Sequence, residues 1–238
     1  MTGPTTFLRR TPMRRLLEQQ GATWRNLPDA AVAETMPGIV PKSGLTLTDL
    51  SPLPRLGFKG RGTVPAMQKR GITLEAKANQ AYRQADGSLC LVLAPSEVIL
   101  LSNLKGDGQW LKQLEQSWRL EDEERTYPLL RRDSHAWFLV TGPQAPAMFA
   151  KISGIDFRLH RFPDFTIAQT SVAKMTAIVT RADLGKYPAF HLLADSASAL
   201  YFWSCLTDAA REFGGSILGL GQAEELETHE AADGGTPL

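Results

Sequence analysis

The sequence has 238 residues, 43% hydrophobic and 21% charged, which is enough for one large domain or two small ones without a disulfide or a structural metal. Its 26 basic and 25 acidic side chains nearly cancel, which argues against a general nucleic-acid-binding protein, because such proteins have a net basic surface. Two cysteines exclude a disulfide scaffold and fit a reducing compartment. No apolar run reaches the roughly 18 residues of a membrane-spanning helix. We therefore expect a cytoplasmic protein without a nucleic-acid or membrane partner.

The two ends of the chain carry opposite charge. Residues 1–25 contain five arginines and one acid, Glu18, whereas residues 222–238 contain five acids and no lysine or arginine. The basic start fits a solvated tail or docking arm better than a transit peptide, because Pro4 and Pro12 interrupt a helix early. Residues 26–48 are rich in Pro and Gly and predict an irregular connector. The segment from Gly221 lacks apolar periodicity and predicts disorder.

One order of elements occurs twice between these ends. In each half an extended apolar stretch and a glycine turn precede a short helix that begins with Pro-Ala-Met, at residues 65–67 and 146–148. A strand pair and a longer helix follow, namely Leu89–Leu93, Val98–Ser102 and Gly108–Trp118 in the first half, and Ile167–Thr180, Phe190–Ala194 and Ser198–Phe213 in the second. Two β-α-β-β-α units side by side predict an α+β fold with antiparallel sheets.

These patterns divide the chain into four predicted parts. Residues 1–46 form a basic, Pro/Gly-rich N-terminal arm, and residues 221–238 form an acidic, disordered tail. Residues 47–134 form the first α+β half and residues 135–220 form the second. Residues 120–134, with acids followed by Arg131, Arg132 and Asp133, predict a solvated polar hinge between the halves.

Motifs for catalysis or metal binding are not found. No histidine lies three to five residues from another histidine or from a cysteine, so zinc-type spacing is missing. The glycines at 57, 60 and 62 lack the Gly-Lys-Ser/Thr ending of a phosphate loop and have the spacing of a dinucleotide fingerprint reversed. Lys59 and Arg61 flank the start of a short helix, so they are candidates for an anionic ligand or a partner's acidic patch. Cys205 lies in an apolar helical pattern that favours an inert thiol.

The last helix of the second half is rich in aromatic residues. Leu200, Trp203, Leu206 and Ala210 recur at helical spacing, and the neighbouring Tyr201 and Phe202 widen the apolar surface. The pattern favours a helix buried on two sides. The alternative is a contact surface for another subunit, because aromatic residues are enriched in interface cores.

Several segments in the right order resemble the gamma subunit of heterotetrameric sarcosine oxidase. They are Leu47–Gly62, Phe165–Ala173, Ile178–Arg181, Phe190–Asp195 and Leu200–Gly214. The resemblance covers about residues 47–214, and it rests on the order of the segments because no single motif is diagnostic. The arm before Thr46 and the tail after Gly221 depart from the family pattern.

The resemblance implies a fold related to the folate-binding aminomethyltransferase of the glycine cleavage system. It also implies a complex that demethylates sarcosine oxidatively with FAD, FMN, NAD and tetrahydrofolate, whose flavins lie on the larger alpha- and beta-type flavoprotein subunits. The gamma-type subunit packs against the alpha-type subunit, so we expect no catalytic residue and no cofactor bound by this chain alone. The candidates for contact with folate or a partner are Lys59, Arg61, Gln169 and Arg181.

A free-standing folate-binding protein remains the alternative. It would be either an aminomethyltransferase-like enzyme or a relative that serves iron–sulfur assembly. Members of the latter family usually have a Lys-Gly-Cys-Tyr-x-Gly-Gln motif, and this sequence has no such run.

Overall fold

The computed structural model describes residues 7–37, 44–119 and 125–228. In this part of the chain the helices are α1 (Arg14–Gln19), α2 (Thr63–Lys69), α3 (Gln109–Ser117), α4 (Ala145–Ile152), α5 (Ala199–Arg211) and α6 (Leu220–Thr228). The strands are β1 (Thr23–Asn26), β2 (Ala31–Thr35), β3 (Thr46–Asp49), β4 (Arg55–Gly60), β5 (Gln80–Arg83), β6 (Leu89–Ala94), β7 (Glu97–Leu101), β8 (Thr126–Leu129), β9 (His135–Thr141), β10 (Ile167–Val172), β11 (Met175–Arg181), β12 (Ala189–Asp195) and β13 (Ser216–Leu218).

The strands form a hairpin and two larger sheets. The hairpin joins β1 to β2, the large sheet has the order β10-β11-β12-β9-β3-β13, and the small sheet has the order β5-β6-β7-β4-β8. All neighbouring strands are antiparallel except β13 and β3, which are parallel. The predicted α+β class with antiparallel sheets is confirmed.

The predicted repeat is visible in both sheets. The order β5-β6-β7-β4 in the small sheet matches β10-β11-β12-β9 in the large sheet, with α2 and α4 following the corresponding strands β4 and β9. Each unit has three strands between its helices rather than the predicted pair. In the second unit the stretch predicted as one strand is a hairpin, because Ala173 and Lys174 adopt φ of 50° and 65° and reverse the chain. In the first unit the sequence analysis missed β5.

The two sheets pack face to face, and helices cover their outer faces. Side chains alternate along β9, so Trp137 and Leu139 join the layer between the sheets, together with Leu91 and Ile99 of the small sheet. Phe138 and its alternate neighbours face the other way, towards α4 and α5. The outer face of the small sheet packs against residues of α2 and α3. The result is four layers, with helices outside and two sheets inside.

Helix α5 is buried on one face only. Its buried residues include Phe202, Trp203 and Leu206, and the ring centroids of Phe138 and Trp203 lie 5.0 Å apart. Leu200 and Tyr201 at the start of the helix are 55% and 51% exposed. The prediction of burial on two sides is therefore wrong, because a helix that covers one sheet face leaves its opposite face in solvent.

The N-terminal arm is more ordered than predicted. Residues 26–48 include β2 and β3, whose side chains are largely buried, so the prediction of an irregular connector is wrong for these strands. Pro28 and Asp29 lie in the turn between β1 and β2, where the Leu27 N–H donates to the Ala30 carbonyl at 2.8 Å. Proline and aspartate are typical turn residues, so this composition marks a hairpin turn. Residues 38–43 lie outside the described residues.

The acidic tail is helical over its first eight residues. Disorder was predicted from residue 221, yet α6 extends to Thr228 and buries Leu220, Ala223 and Leu226. Glu224 pairs with Arg25 at 2.7 Å, and Glu227 pairs with Arg83 at 3.6 Å. The opposite charges of the two ends thus partly meet on the surface of the body. Residues 229–238 lie outside the described residues.

The predicted hinge contains a strand. Residues 126–129 form β8, which pairs with β4 at the edge of the small sheet, so the prediction of a solvated loop is wrong there. Pro128 lies within this strand, and an edge strand tolerates a residue without an N–H. Residues 120–124 lie outside the described residues. No helix in the described ranges is long and apolar enough to cross a membrane.

Candidate functional site

Lys59 lies at the exposed end of β4. Its side chain is 59% exposed, and its Nζ lies 2.7 Å from Glu97 Oε2. Glu97 also accepts from Arg131, whose Nη2 lies 2.6 Å from Oε1. Lys59 is therefore the exposed end of a three-residue charge row, Lys59–Glu97–Arg131, whose other two side chains are half-buried.

Arg61 is exposed between two glycines at the start of α2. Gly60 has φ of 151°, and a Cβ at this position would overlap the main-chain carbonyl of Arg125. The glycine turn is therefore required by the close approach of β8. Helix α2 has only seven residues, so the glycine cluster is a structural turn rather than a phosphate-binding loop.

Gln169 connects the two sheets. Its Nε2 donates to Asn79 Oδ1 at 2.9 Å and to the Leu93 carbonyl at 3.0 Å. Gln169 belongs to β10 of the large sheet, whereas Leu93 belongs to β6 of the small sheet. The side-chain amide of Gln169 therefore holds the two sheets together.

We expect Gln169→Ala to lower the free energy of unfolding by about 1 kcal/mol, because two hydrogen bonds between the sheets are lost. Urea denaturation measures the change, with the exposed Gln113→Ala on α3 as the matched control. A variant with unchanged stability but weaker binding of tetrahydrofolate in calorimetry would instead favour a ligand contact.

Arg181 is nearly buried and fully engaged. Its Nε and Nη2 bind Asp183 in a bidentate pair at 2.9 and 2.6 Å, while Nη1 donates to the carbonyls of Leu159 and Phe162. The hydrogen bonds to Asp183 raise the pKa of Arg181. This residue fastens the loop before β10 to the end of β11. Within residues 7–37, 44–119 and 125–228 we find no hydrogen bond or ion pair between any two of the four candidates, and their roles as folate or partner contacts stay predictions.

A cleft missed by the sequence analysis lies where the arm meets the segment after β8. It has a volume of about 300 Å³, and its lining includes Arg9, Arg10, Arg55, Arg132 and one acid, Asp133. Arg55 is 5% exposed at the start of β4. Its three nitrogens donate to five main-chain carbonyls, those of Ser51, Leu53, Arg131, Arg132 and His135.

Arg9 attaches the arm to two of the carbonyls that Arg55 also binds. It donates to the Ser51 carbonyl at 3.1 Å and to the Arg132 carbonyl at 3.3 Å, both of which also accept from Arg55. Its Nε binds Asp133 Oδ1 at 2.8 Å. The basic arm thus docks on the body of its own chain, at least from Arg9 onward.

A buried carboxyl group, that of Asp49, lies behind two residues that line the cleft, Thr11 and Ser51. Asp49 accepts from the Thr11 hydroxyl and, at 3.0 Å, from the Ser51 N–H. Burial raises the pKa of Asp49, while the hydrogen bonds from Ser51 and Thr11 oppose the shift. Thr11 therefore provides a second attachment of the arm, next to that of Arg9.

Arginines are the most frequent charged residues in the lining of the cleft. Burial is the main cause that lowers the pKa of Arg55 to about 9, and the positive charge of Arg9 adds to the shift. The Arg55 guanidinium therefore remains charged at neutral pH. Burial and the charges of Arg131 and Arg55 lower the pKa of His135 to about 4, so this imidazole is neutral. Asp133 is the one acid that lines the cleft, and Asp29 and Glu115 pair with its arginines from outside the lining.

No group of three or more His, Cys, Asp or Glu residues suited to a metal occurs within residues 7–37, 44–119 and 125–228. Cys90 is buried, and burial raises the pKa of its thiol to about 12. Cys205 is half-buried on α5. These thiols do not face each other, since one lies in the small sheet and the other on a helix over the large sheet.

The chain has the fold of the glycine-cleavage aminomethyltransferases. The structure of glycine cleavage system aminomethyltransferase T from Bartonella henselae aligns with 92% of this chain and 62% of its own, at a TM-score of 0.69 and 18% identity. This chain therefore spans less than two thirds of that enzyme.

A chain of the heterotetrameric sarcosine oxidase from Corynebacterium sp. U-96, solved in complex with pyrrole 2-carboxylate, is also similar. It aligns with 88% of this chain and 98% of its own, at a TM-score of 0.66 and 20% identity. The predicted fold relation to both proteins is confirmed. No protein-family model and no curated protein sequence matches the chain.

Proposed function

We propose that this chain is the non-catalytic gamma-type subunit of a heteromeric oxidase of sarcosine or a similar N-methyl amine. The complex depends on flavin and tetrahydrofolate, and this chain packs against the large alpha-type subunit. The observation that carries the proposal is the alignment with 98% of one chain of a heterotetrameric sarcosine oxidase. The likeness thus extends over a whole subunit of a multi-subunit enzyme.

Coverage of the aminomethyltransferase supports the same choice. That enzyme aligns over only 62% of its length, whereas the oxidase chain aligns over 98% of its own. The likeness itself keeps a folate-binding protein as the alternative function. Calorimetry with tetrahydrofolate on the isolated chain separates the two, because micromolar binding by the chain alone favours the alternative.

The experiment that tests the proposal is a pull-down of the tagged chain from cells that also express the large flavoprotein subunits. We expect a complex with a flavin absorbance spectrum, and no oxidation of an N-methyl amine by the isolated chain. A stable monomer with full turnover on its own contradicts the proposal.

Lys59 and Arg61 are the exposed candidates for partner contact. Replacing both with alanine should weaken the association with the large subunit, because it removes two cations from an accessible surface. Co-purification at equal concentrations measures the effect. The matched control is Arg158→Ala with Arg211→Ala, which removes the same charge from exposed positions elsewhere. Unchanged co-purification of the Lys59/Arg61 variant would discard this role.

A further inference from the structure

We propose that the arginine cleft is the docking site for an acidic segment of the larger subunit, one carboxylate of which enters the cleft. The inference rests on the proposed function and adds to it the place and the chemistry of the contact. Arg9, Arg55 and Arg132 are the principal cations in the lining of this cleft.

The charged side chains that line the cleft favour an acidic segment as its occupant. Four arginines line the cleft against one aspartate. Asp29 and Glu115 reach Arg132 from its sides, at 3.1 and 3.5 Å, and leave its side chain 41% exposed. The row Lys59–Glu97–Arg131 extends the basic surface away from the cleft, with two cations and one acid. Asp29 also lies 3.5 Å from Arg9, so the four arginines face three carboxylates, Asp29, Glu115 and Asp133, and one further carboxylate would balance their charge.

Hydrogen bonding favours a protein segment over a small anion. Arg9 and Arg55 direct most of their donors to six main-chain carbonyls, those of Ser51, Pro52, Leu53, Arg131, Arg132 and His135. A free phosphate would therefore gain attraction but few direct hydrogen bonds. A protein segment places one carboxylate in the field of the guanidiniums and gains its remaining contacts outside the cleft.

The residues beside the cleft provide such contacts. Leu8, which precedes Arg9, is fully exposed, and Leu130, two residues before Arg132, is 68% exposed. Tyr127 on the neighbouring edge strand is 52% exposed. Tyrosine and arginine are both enriched in interface cores, so Tyr127 and the arginines suit a contact with a partner.

Arg132→Glu tests the inference, because the Arg132 side chain is the most exposed of the principal cations and makes none of the hydrogen bonds to the main-chain carbonyls. The dissociation constant for the larger flavoprotein subunit is measured at low and high salt by biolayer interferometry. We expect binding to weaken about tenfold at low salt and the salt dependence to become shallower. Arg158→Glu, an equal charge change on an exposed loop, should bind like the wild type.

Two further measurements do not depend on correct folding of the reversed-charge variant. They are the affinity of Arg132→Gln and hydrogen exchange of the wild-type chain. The neutral variant should show a smaller loss of affinity, and amides of residues 7–12 and 130–135 should become protected when the wild-type chain binds the subunit. Wild-type affinity in both Arg132 variants overturns the inference while the proposed function stands. Protection of the same amides by inorganic phosphate alone contradicts a protein occupant. Failure of the wild-type chain to bind overturns both.

Discussion

Arg55→Ala is expected to lower the free energy of unfolding by about 3–4 kcal/mol, because buried hydrogen bonds to a charged group are lost and their acceptors stay buried. Five carbonyls lose the Arg55 donor at once, and they belong to two segments that are far apart in the sequence, 51–53 and 131–135. Those of Ser51 and Arg132 keep a hydrogen bond from Arg9. The lowered pKa of Arg55 shows that burial opposes the charge. The carbonyl contacts must outweigh that cost for the network to persist. Urea unfolding at pH 7 measures the change.

Two further variants make the Arg55 result specific. Arg55→Lys should recover little of the loss, because an ammonium group has three donors and cannot reproduce the planar fork of the guanidinium. Arg158→Ala, at a fully exposed ion pair, should leave the unfolding midpoint unchanged. A loss below about 1 kcal/mol for Arg55→Ala would contradict the view that this residue organises the cleft.

His191 should make the protein less stable in mild acid. It lies between the sheets, where its Nδ1 accepts from the Trp137 indole N–H at 3.1 Å, and burial lowers its pKa to about 3. Above pH 6.5 the imidazole is neutral in both states. As the pH falls below 6.5, His191 takes up a proton in the unfolded chain but stays neutral in the native chain. The free energy of unfolding therefore falls by about 1.4 kcal/mol per pH unit until the pH approaches the pKa of His191 in the native chain.

His191→Asn isolates this contribution, because the asparagine Oδ1 can replace Nδ1 as acceptor but does not titrate. We expect the difference in unfolding free energy between pH 6 and pH 4 to shrink by about 2–3 kcal/mol relative to the wild type. Part of the acid sensitivity should remain, since the pKa of His135 is also lowered, to about 4. His160→Asn on an exposed loop is the control. An unaltered pH profile for His191→Asn would mean that this imidazole is protonated in the native state.

The repeat was predictable because it depends on local signals. The Pro-Ala-Met helix starts and the apolar stretches before them are visible in sequence, and they correspond to α2 and α4 after β4 and β9. The hairpin turn at Ala173–Lys174 was not predicted. Neither residue is the glycine or asparagine that usually marks positive φ, so Ile167–Thr180 looked like one strand.

Order at the two ends depends on tertiary contacts that composition does not report. Met13 and Leu17 of the arm are buried in the core beside the large sheet, and the acids of α6 find partners at Arg25 and Arg83. A charged segment with weak periodicity predicts disorder when it is considered alone. Packing against a preformed body changes that balance, because each paired charge and each buried leucine adds to a helix of low intrinsic stability.

The cleft could not be predicted for a related reason. Arg9, Arg55 and Arg132 come from three segments separated by more than forty residues, and no spacing rule connects them. Arg55 was the residue that the sequence could have indicated, because a charged residue next to the apolar Leu56-Gly57-Phe58 stretch needs partners inside the fold. Of the predicted candidates, Lys59 and Arg61 are accessible, whereas Gln169 and Arg181 are engaged in contacts within the chain.

Sedimentation velocity of the purified chain with the large flavoprotein subunits, recorded at a flavin absorbance wavelength, tests the central claim most directly. We expect that the chain alone carries no flavin signal and that it joins the flavin-bearing boundary in a fixed ratio when mixed with those subunits. Flavin subunits that sediment without the chain and oxidise an N-methyl amine at the same rate whether or not it is present would contradict a subunit role.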